Sequence, residues 1–139
     1  MTVMGCVFCD IVEKKIGAHW VLENEAVAAF LDRSPLFPGH TLVIPRRHIV
    51  TLDELDAPLL AALMGDVQRI MRAVVAATGA QGTFVANNNV VSQSVMHVHV
   101  HVVPRKKGDG LKGFFWPRHK YADDEAMADM AAKIREAMK

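Results

Sequence analysis

Three histidines alternate with valines in the segment His97-Val98-His99-Val100-His101-Val102-Val103. Strict alternation is the period of a β-strand, so the three imidazoles are expected on one face, roughly 6–7 Å apart along the chain. Val98, Val100 and Val102 then point the other way, into the core. Seven of the 139 residues are histidine, and composition alone gives a His-x-His-x-His somewhere with a probability of roughly 0.02. The row is therefore read as chemistry rather than as an ordinary solvated strand face. Two chemistries suit it. Neutral imidazole is the commonest zinc ligand, so part of the row could bind metal. Alternatively, one ring is a nucleophile and its neighbours orient it or handle protons. Just upstream, Asn87-Asn88-Asn89-Val90-Val91-Ser92-Gln93-Ser94 concentrates amides and hydroxyls. Such groups can hold phosphate oxygens and a leaving group, although asparagine-rich stretches also simply make good turns.

The second reactive pattern is Cys6-x-x-Cys9, and the chain has no other cysteine. That usage suits a reducing compartment and a metal or redox role better than a structural disulfide. A thioredoxin-like pair should follow a strand and open a helix inside an α/β unit, whereas this one precedes every expected strand. Zinc binding is another reading, and burial of two thiols as small hydrophobic groups is a third.

The elements that must position these groups follow from periodicity. Phe8, Ile11 and Val12 have helical spacing and predict a short helix that ends near Gly17. Residues 20–23 and 27–32 flank Asn24 as a hairpin, 33–39 is a loop punctuated by two prolines and a glycine, and 40–45 is a strand closed by Pro45. Asp56 caps a long helix that tolerates Pro58 in its first turn and stops at Gly79. Its apolar stripe is Leu59, Leu60, Leu63, Met64, Val67, Ile70, Met71 and Val74. Residues 82–86 and 96–103 are two further strands. A final amphipathic helix starts near Asp123, with Met127, Met130, Ile134 and Met138 along one side. Five or so strands joined mostly by short turns, with one long and one terminal helix, predict an α+β domain built on an antiparallel sheet.

Composition bounds the partners. The 15.3 kDa chain is 51% hydrophobic and 22% charged, which excludes a disordered chain and permits one domain that folds without metal or disulfide. Sixteen Lys+Arg against fifteen Asp+Glu leave a formal charge of +1. No general pull toward nucleic acid or an anionic membrane results, so any phosphate recognition has to be local. No run approaches the ~18 apolar residues that span a bilayer, and the first five residues lack the basic region and long apolar stretch of a secretory signal. A cytoplasmic location is expected.

Taken together, these segments resemble the histidine triad (HIT) family of nucleotidyl hydrolases and transferases. Its signature, His-φ-His-φ-His-φ-φ with φ apolar, is matched by residues 97–103. Cys6-Val-Phe-Cys9-Asp-Ile-Val12, Ala29-Phe-Leu-Asp32, Pro38-Gly39-His40-Thr-Leu-Val-Ile-Pro45-Arg-Arg-His48 and Gln93-Ser94-Val95 look like family blocks in family order. The resemblance covers about residues 6–105, the motif-bearing core of a single domain spanning 1–139. It implies a HIT-like antiparallel sheet of about five strands with one long helix and a C-terminal helix. It also implies a homodimer that cleaves a nucleoside monophosphate from its leaving group.

By position, His99 would be the nucleophile that attacks the α-phosphorus and becomes a transient nucleotidyl-histidine. His101 would contact the phosphate, while Gln93 and Ser94 would hold phosphate oxygens or the leaving group, with Asn87 and Asn88 in the same phosphate-binding segment. Asp32 would accept hydrogen bonds from the ribose hydroxyls, and His40 would stand behind the groups that touch substrate. Related proteins hold zinc through positions matching Cys6, Cys9, His48 and His97. That implies a structural zinc, which takes His97 out of the triad and leaves His99 free to react. The expected substrate is a purine nucleoside phosphoramidate or a dinucleoside polyphosphate. Two alternatives stay open: a hydrolase that uses the histidine row to hold a catalytic zinc and its water, and a nucleotide- or partner-binding protein with vestigial turnover. One departure stands out. Many family members carry a glycine-rich stretch before the glutamine, and here Ser92 occupies the place beside it. Lys106, Lys107, Lys112, Arg118, His119 and Lys120 make the tail basic, as a solvated loop or as a contact to polyphosphate. Trp116 either stacks on a base or packs in the core or a dimer interface.

Overall fold

The computed structural model describes residues 2–111 and 118–139. They fall into two compact units, residues up to 109 and residues from 110 onward. The first contains α1 (Val7–Val12), β1 (Trp20–Glu23), β2 (Val27–Leu31), β3 (Thr41–Pro45), α2 (Ala57–Thr78), β4 (Gly82–Ala86) and β5 (Val100–Arg105). The five strands form one sheet in the order β1-β2-β3-β5-β4, with every neighbouring pair antiparallel. The second unit contains α3 (Asp124–Ala137). The α+β class and the antiparallel sheet agree with the expectation from sequence.

Alternation along the strands sorts the core into two layers. Val27 and Ala29 of β2, Val43 of β3, and Val100 and Val102 of β5 pack with Leu63, Val67, Ile70 and Val74 of α2. Ala28, Phe30, Leu42 and Ile44 point to the opposite face and pack with Phe8, Cys9, Ile11 and Val12 of α1. The two covers differ greatly in length. α2 has 22 residues and α1 has six, or about 33 Å against 9 Å of helix. His101 lies opposite Leu42 in the β3–β5 register and so shares the α1 face. That face is the one the short helix leaves partly open.

Local chemistry explains the element ends. The Asp56 carboxylate accepts the Leu59 N–H at 2.9 Å and caps α2, while Gly79 ends it in the left-handed region at φ +72°. Asp123 caps α3 by accepting the Ala126 N–H at 2.8 Å. The 20–31 hairpin turns on Asn24, whose Oδ1 accepts the Ala26 and Val27 N–H groups and whose Nδ2 donates to Asp66 of α2. Leu60 and Met64, placed on the α2 stripe by sequence, stay partly exposed, as do Met127, Met130, Ile134 and Met138 on α3.

α1 ends at Val12 and not near Gly17, because Lys14 enters the left-handed region at φ +63° and the Lys14 and Lys15 N–H groups turn back to the Ile11 and Asp10 carbonyls at 2.9 Å. Two further features differ from expectation. The last strand begins at Val100 rather than near Met96 and runs through Pro104 to Arg105. Ahead of it, the Pro45 carbonyl, a group the ladder would otherwise use, accepts from His97 Nε2 at 2.8 Å. The Val98 N–H turns to the Ile49 carbonyl at 2.7 Å. Pro104 is accommodated because β3 pairing ends at Val102, leaving β4 as its only ladder neighbour. The second feature is a 3₁₀ turn over Leu52–Glu54, closed by a reciprocal capping box between Thr51 and Glu54. The Thr-x-x-Glu spacing that announces it was present in the sequence.

Gly39 leads into His40 at φ +101°, and a Cβ built there would stand 2.9 Å from Thr78 Cγ2. Gly39→Ala should therefore lower stability by about 1–3 kcal/mol, measured by urea unfolding. In a Thr78→Ser background, which lacks that methyl, the loss should be smaller. An equal loss in both backgrounds would show that the contact does not matter.

Candidate functional site

His99 is 2% exposed, and its Nδ1 lies 2.8 Å from the His97 carbonyl. A carbonyl only accepts, so Nδ1 carries a proton, and the neutral tautomer compatible with this bond has its lone pair on Nε2. A second chain of bonds sets His101 in the opposite tautomer. The Leu36 N–H donates to His40 Nδ1 at 3.0 Å, which leaves the His40 proton on Nε2. That nitrogen lies 2.9 Å from His101 Nδ1 and donates to it, so the His101 proton sits on Nε2. Asp32 Oδ2 stands 3.6 Å from His40 Nε2. Burial pushes His101 down to about 4, reinforced by His99 and His40 and opposed by Asp32. Burial lowers His40 as well, against the same carboxylate. Both rings are then neutral near pH 7, as this proton assignment requires.

Asp32, His99 and His101 open onto a cleft of about 860 Å³. Phe8, Ile11, Phe30 and Leu42 line it with apolar surface, and Asp32, Arg33, Ser34, Ser94, His99 and His101 add polar groups. The Phe8 ring meets His99 edge-on, with centroids 5.1 Å apart. An imidazole whose Nδ1 is held by a carbonyl, a neighbouring N–H donor, a hydroxyl and a carboxylate beside an apolar wall can attack, hold and orient a phosphorylated nucleoside.

The Asn87–Ser94 segment is organised differently from a simple row of phosphate ligands. Asn87 Nδ2 donates to the His99 carbonyl at 2.9 Å. Asn89 Nδ2 donates to Asn87 Oδ1, and Asn89 Oδ1 accepts the Leu52 N–H at 2.8 Å. Gln93 Nε2 donates to the Val50 carbonyl at 2.6 Å while its Oε1 accepts the Val90 N–H at 2.8 Å. Asn88 is exposed on the loop. Of the polar side chains in this segment, Ser94 is the one that lines the cleft among the described residues. Sequence reasoning missed Phe8 as a cleft residue, although its helical spacing with Ile11 and Val12 signalled the face it shares. It also missed the Leu36 N–H and the Val50 carbonyl, which no side-chain motif can reveal.

Cys6, Cys9, His48 and His97 converge, with all four donor atoms within 4.8 Å of one another. Cys9 Sγ lies 3.4 Å from His48 Nδ1 and 3.7 Å from His97 Nδ1, and Cys6 Sγ lies 3.6 Å from His97 Nδ1. Tetrahedral zinc with ordinary Zn–N and Zn–S bonds spaces its donors roughly 3.3–3.8 Å apart, and these three sulfur–nitrogen distances match that spacing. His97 donates Nε2–H to the Pro45 carbonyl, which aims its Nδ1 lone pair at the sulfurs. Burial pushes His97 down to about 4 and raises the Cys9 thiol.

Asp32, His40 and His101 also bring three donor atoms together. A metal on His40 Nε2 would drive the proton to Nδ1, into the Leu36 N–H at 3.0 Å. This second cluster is therefore suited to passing hydrogen bonds and not to ligation. Among the described residues, no group of donor atoms that lie within 4.8 Å of one another contains His97, His99 and His101 together. Neither Lys106 nor Lys107 lines the cleft, Arg118, His119 and Lys120 belong to the second unit, and Lys112 and Trp116 lie outside the described residues. No helix among the described residues is long and apolar enough to cross a membrane.

Comparison with known proteins assigns the class that this fold and site define. The chain belongs to the HIT family: the HIT domain model matches residues 13–108. The Bacillus subtilis protein named hit is 41% identical over 91% of this chain and 87% of its own length. An adenosine 5′-monophosphoramidase of Schizosaccharomyces pombe is 32% identical over 95% of this chain and all of its own, and an adenylylsulfatase of Arabidopsis thaliana is 36% identical over 94% and 68%. Among solved structures, a HIT family member from Bacillus subtilis superposes with a TM-score of 0.86 at 36% identity, covering 95% of this chain and 96% of that one. A zinc-bound histidine triad family protein from Mycobacterium smegmatis gives 0.74 at 35% identity, covering 94% and 98%.

The depressed His101 predicts an acid-side loss of stability. Above pH 6.5 neither the folded nor the unfolded ring is protonated. Between 6.5 and about 4 the unfolded chain takes the proton while the folded chain does not. Stability should fall as pH drops through that window, by up to about 1.4 kcal/mol per pH unit from this ring. Urea unfolding from pH 7.5 to 4.5 should give a flatter profile for His101→Gln than for the native chain. Parallel profiles would contradict the assignment.

Proposed function

We propose that this protein hydrolyses the bond between a nucleoside monophosphate and its leaving group, with His99 as the nucleophile. The observation that carries this reading is the His97 carbonyl on His99 Nδ1 at 2.8 Å, which selects the tautomer whose lone pair is on Nε2, on a ring that lines the cleft. Nε2 attacks the α-phosphorus in line, the bond to the leaving group breaks, and that group departs with the electron pair and takes a proton from solvent, which the water of the second step returns. The ring becomes cationic as a nucleotidyl-histidine, and the carbonyl on Nδ1–H stabilises that charge. His101 Nε2–H and the Ser94 hydroxyl hold phosphoryl oxygens, where charge develops. Water then attacks the phosphorus, releases the monophosphate and returns Nε2 to its starting state.

Asp32 is taken as the acceptor for the ribose hydroxyls, and the apolar wall of Phe8, Ile11, Phe30 and Leu42 as the surface for a purine. The relatives named as an adenosine monophosphoramidase and an adenylylsulfatase support an adenylyl compound with a small leaving group. A dinucleoside polyphosphate is the second candidate. Cys6, Cys9, His48 and His97 would hold a zinc ion, which when bound ties the N-terminal segment to the catalytic strand. The same reading takes the chain as one HIT domain that works as a cytoplasmic homodimer.

The test is release of AMP from adenosine 5′-phosphoramidate, adenylyl sulfate and diadenosine polyphosphates. His99→Ala should lose at least about three orders of magnitude in kcat while still binding AMP. Equal turnover by the two proteins would instead support a binding protein with vestigial activity. For the metal, purified protein should carry stoichiometric zinc by elemental analysis. His48→Ala should lose it and melt at least about 5 °C lower. Full melting temperature after chelation would remove zinc from this reading.

A further inference from the structure

The loop that delivers Ser94 to the cleft has an unfavourable backbone. Val90 and Ser92 adopt φ of +69° and +62°, a left-handed conformation that is poorly tolerated by L-residues and least of all by a β-branched one. Nor is Val90 buried to compensate, since it is 67% exposed. Something else must hold the turn, and the candidate is the residue that follows it. Gln93 is 8% exposed, and it uses both ends of its amide within the protein. Oε1 accepts the Val90 N–H at 2.8 Å, and Nε2 donates to the Val50 carbonyl at 2.6 Å. The Leu52 N–H bound by Asn89 at 2.8 Å ties the other side of the loop to the same neighbouring segment.

We propose that Gln93 is a positioning residue, which clamps the left-handed Val90–Ser92 turn against residues 50–52 so that Ser94 is presented beside His99. This assignment rests on the reading of His99 as nucleophile and gives Gln93 a different task from direct contact with phosphate. Its oxygen and nitrogen are already committed, and it does not line the cleft. With the clamp released, Val90 relaxes out of the left-handed region and carries Ser94 with it. A glycine at 90 removes the reason to relax, because glycine occupies positive φ without steric cost.

The experiment uses Gln93→Met, which keeps the length and removes both bonds, alone and combined with Val90→Gly in the full chain. Gln93→Met should lower kcat/KM for AMP release roughly tenfold, mainly through kcat, with a native-like melting profile. Adding Val90→Gly should recover about threefold or more of that loss. Activity unchanged in Gln93→Met overturns the clamp. So does a loss that Val90→Gly does not recover, the pattern expected of a side chain that touched phosphate. Amide hydrogen exchange at Val90 gives a readout independent of turnover: faster exchange in Gln93→Met supports the clamp, and unchanged exchange overturns it. If the native chain releases no AMP from any adenylyl compound, the catalytic reading fails and this exchange measurement decides the clamp by itself.

Discussion

The sheet is buried on both faces by helices of unequal length, and the chemistry of this protein depends on that inequality. α2 covers one face along its whole extent with Leu63, Val67, Ile70 and Val74, while six-residue α1 covers only part of the other. Alternation in β5 then has a strict consequence. Valines at 100 and 102 complete the covered side, and His101 falls on the side that has room for a ligand. A one-residue slip of register would bury the imidazole under α2 and put valines in the cleft. Apolar packing under α2 therefore holds the reactive face in place as well as stabilising the fold.

Main-chain atoms, rather than charged side chains, fix the protons in the site. The His97 carbonyl assigns His99 its tautomer, and the Leu36 N–H assigns those of His40 and, through it, His101. Hydrogen bonds of this kind do not titrate near neutrality, so two adjacent rings keep complementary roles, one with a free lone pair and one with an outward N–H. His97 joins this arrangement to the cysteine cluster. Its carbonyl serves His99, and its ring serves Cys6, Cys9 and Pro45.

Much of this could be read from residue order. The Asp56 and Gly79 boundaries of α2, the Asn24 turn and the Pro45 strand end all rest on local chemistry, and local chemistry is present in a sequence. The convergence of Cys6, Cys9, His48 and His97 was legible through the family resemblance, whereas spacing alone pairs only the two cysteines. The start of β5 was not. Alternation continues back to His97, but the Pro45 carbonyl is taken by an imidazole instead of a ladder N–H, a competition that residue periodicity does not encode. The same holds for the polar loop. Asn87, Asn89 and Gln93 look like ligand groups by composition, yet they bond within their own loop and to main-chain groups of His99, Leu52 and Val50.

The Leu36 contact carries a consequence for how this protein can vary. Its side chain is half exposed in a surface loop, where substitutions usually pass without effect. The group that matters there is the N–H, and every coded amino acid except proline supplies it. Side chains of many kinds at position 36 are thus compatible with the same proton arrangement, and proline is the one residue that removes it.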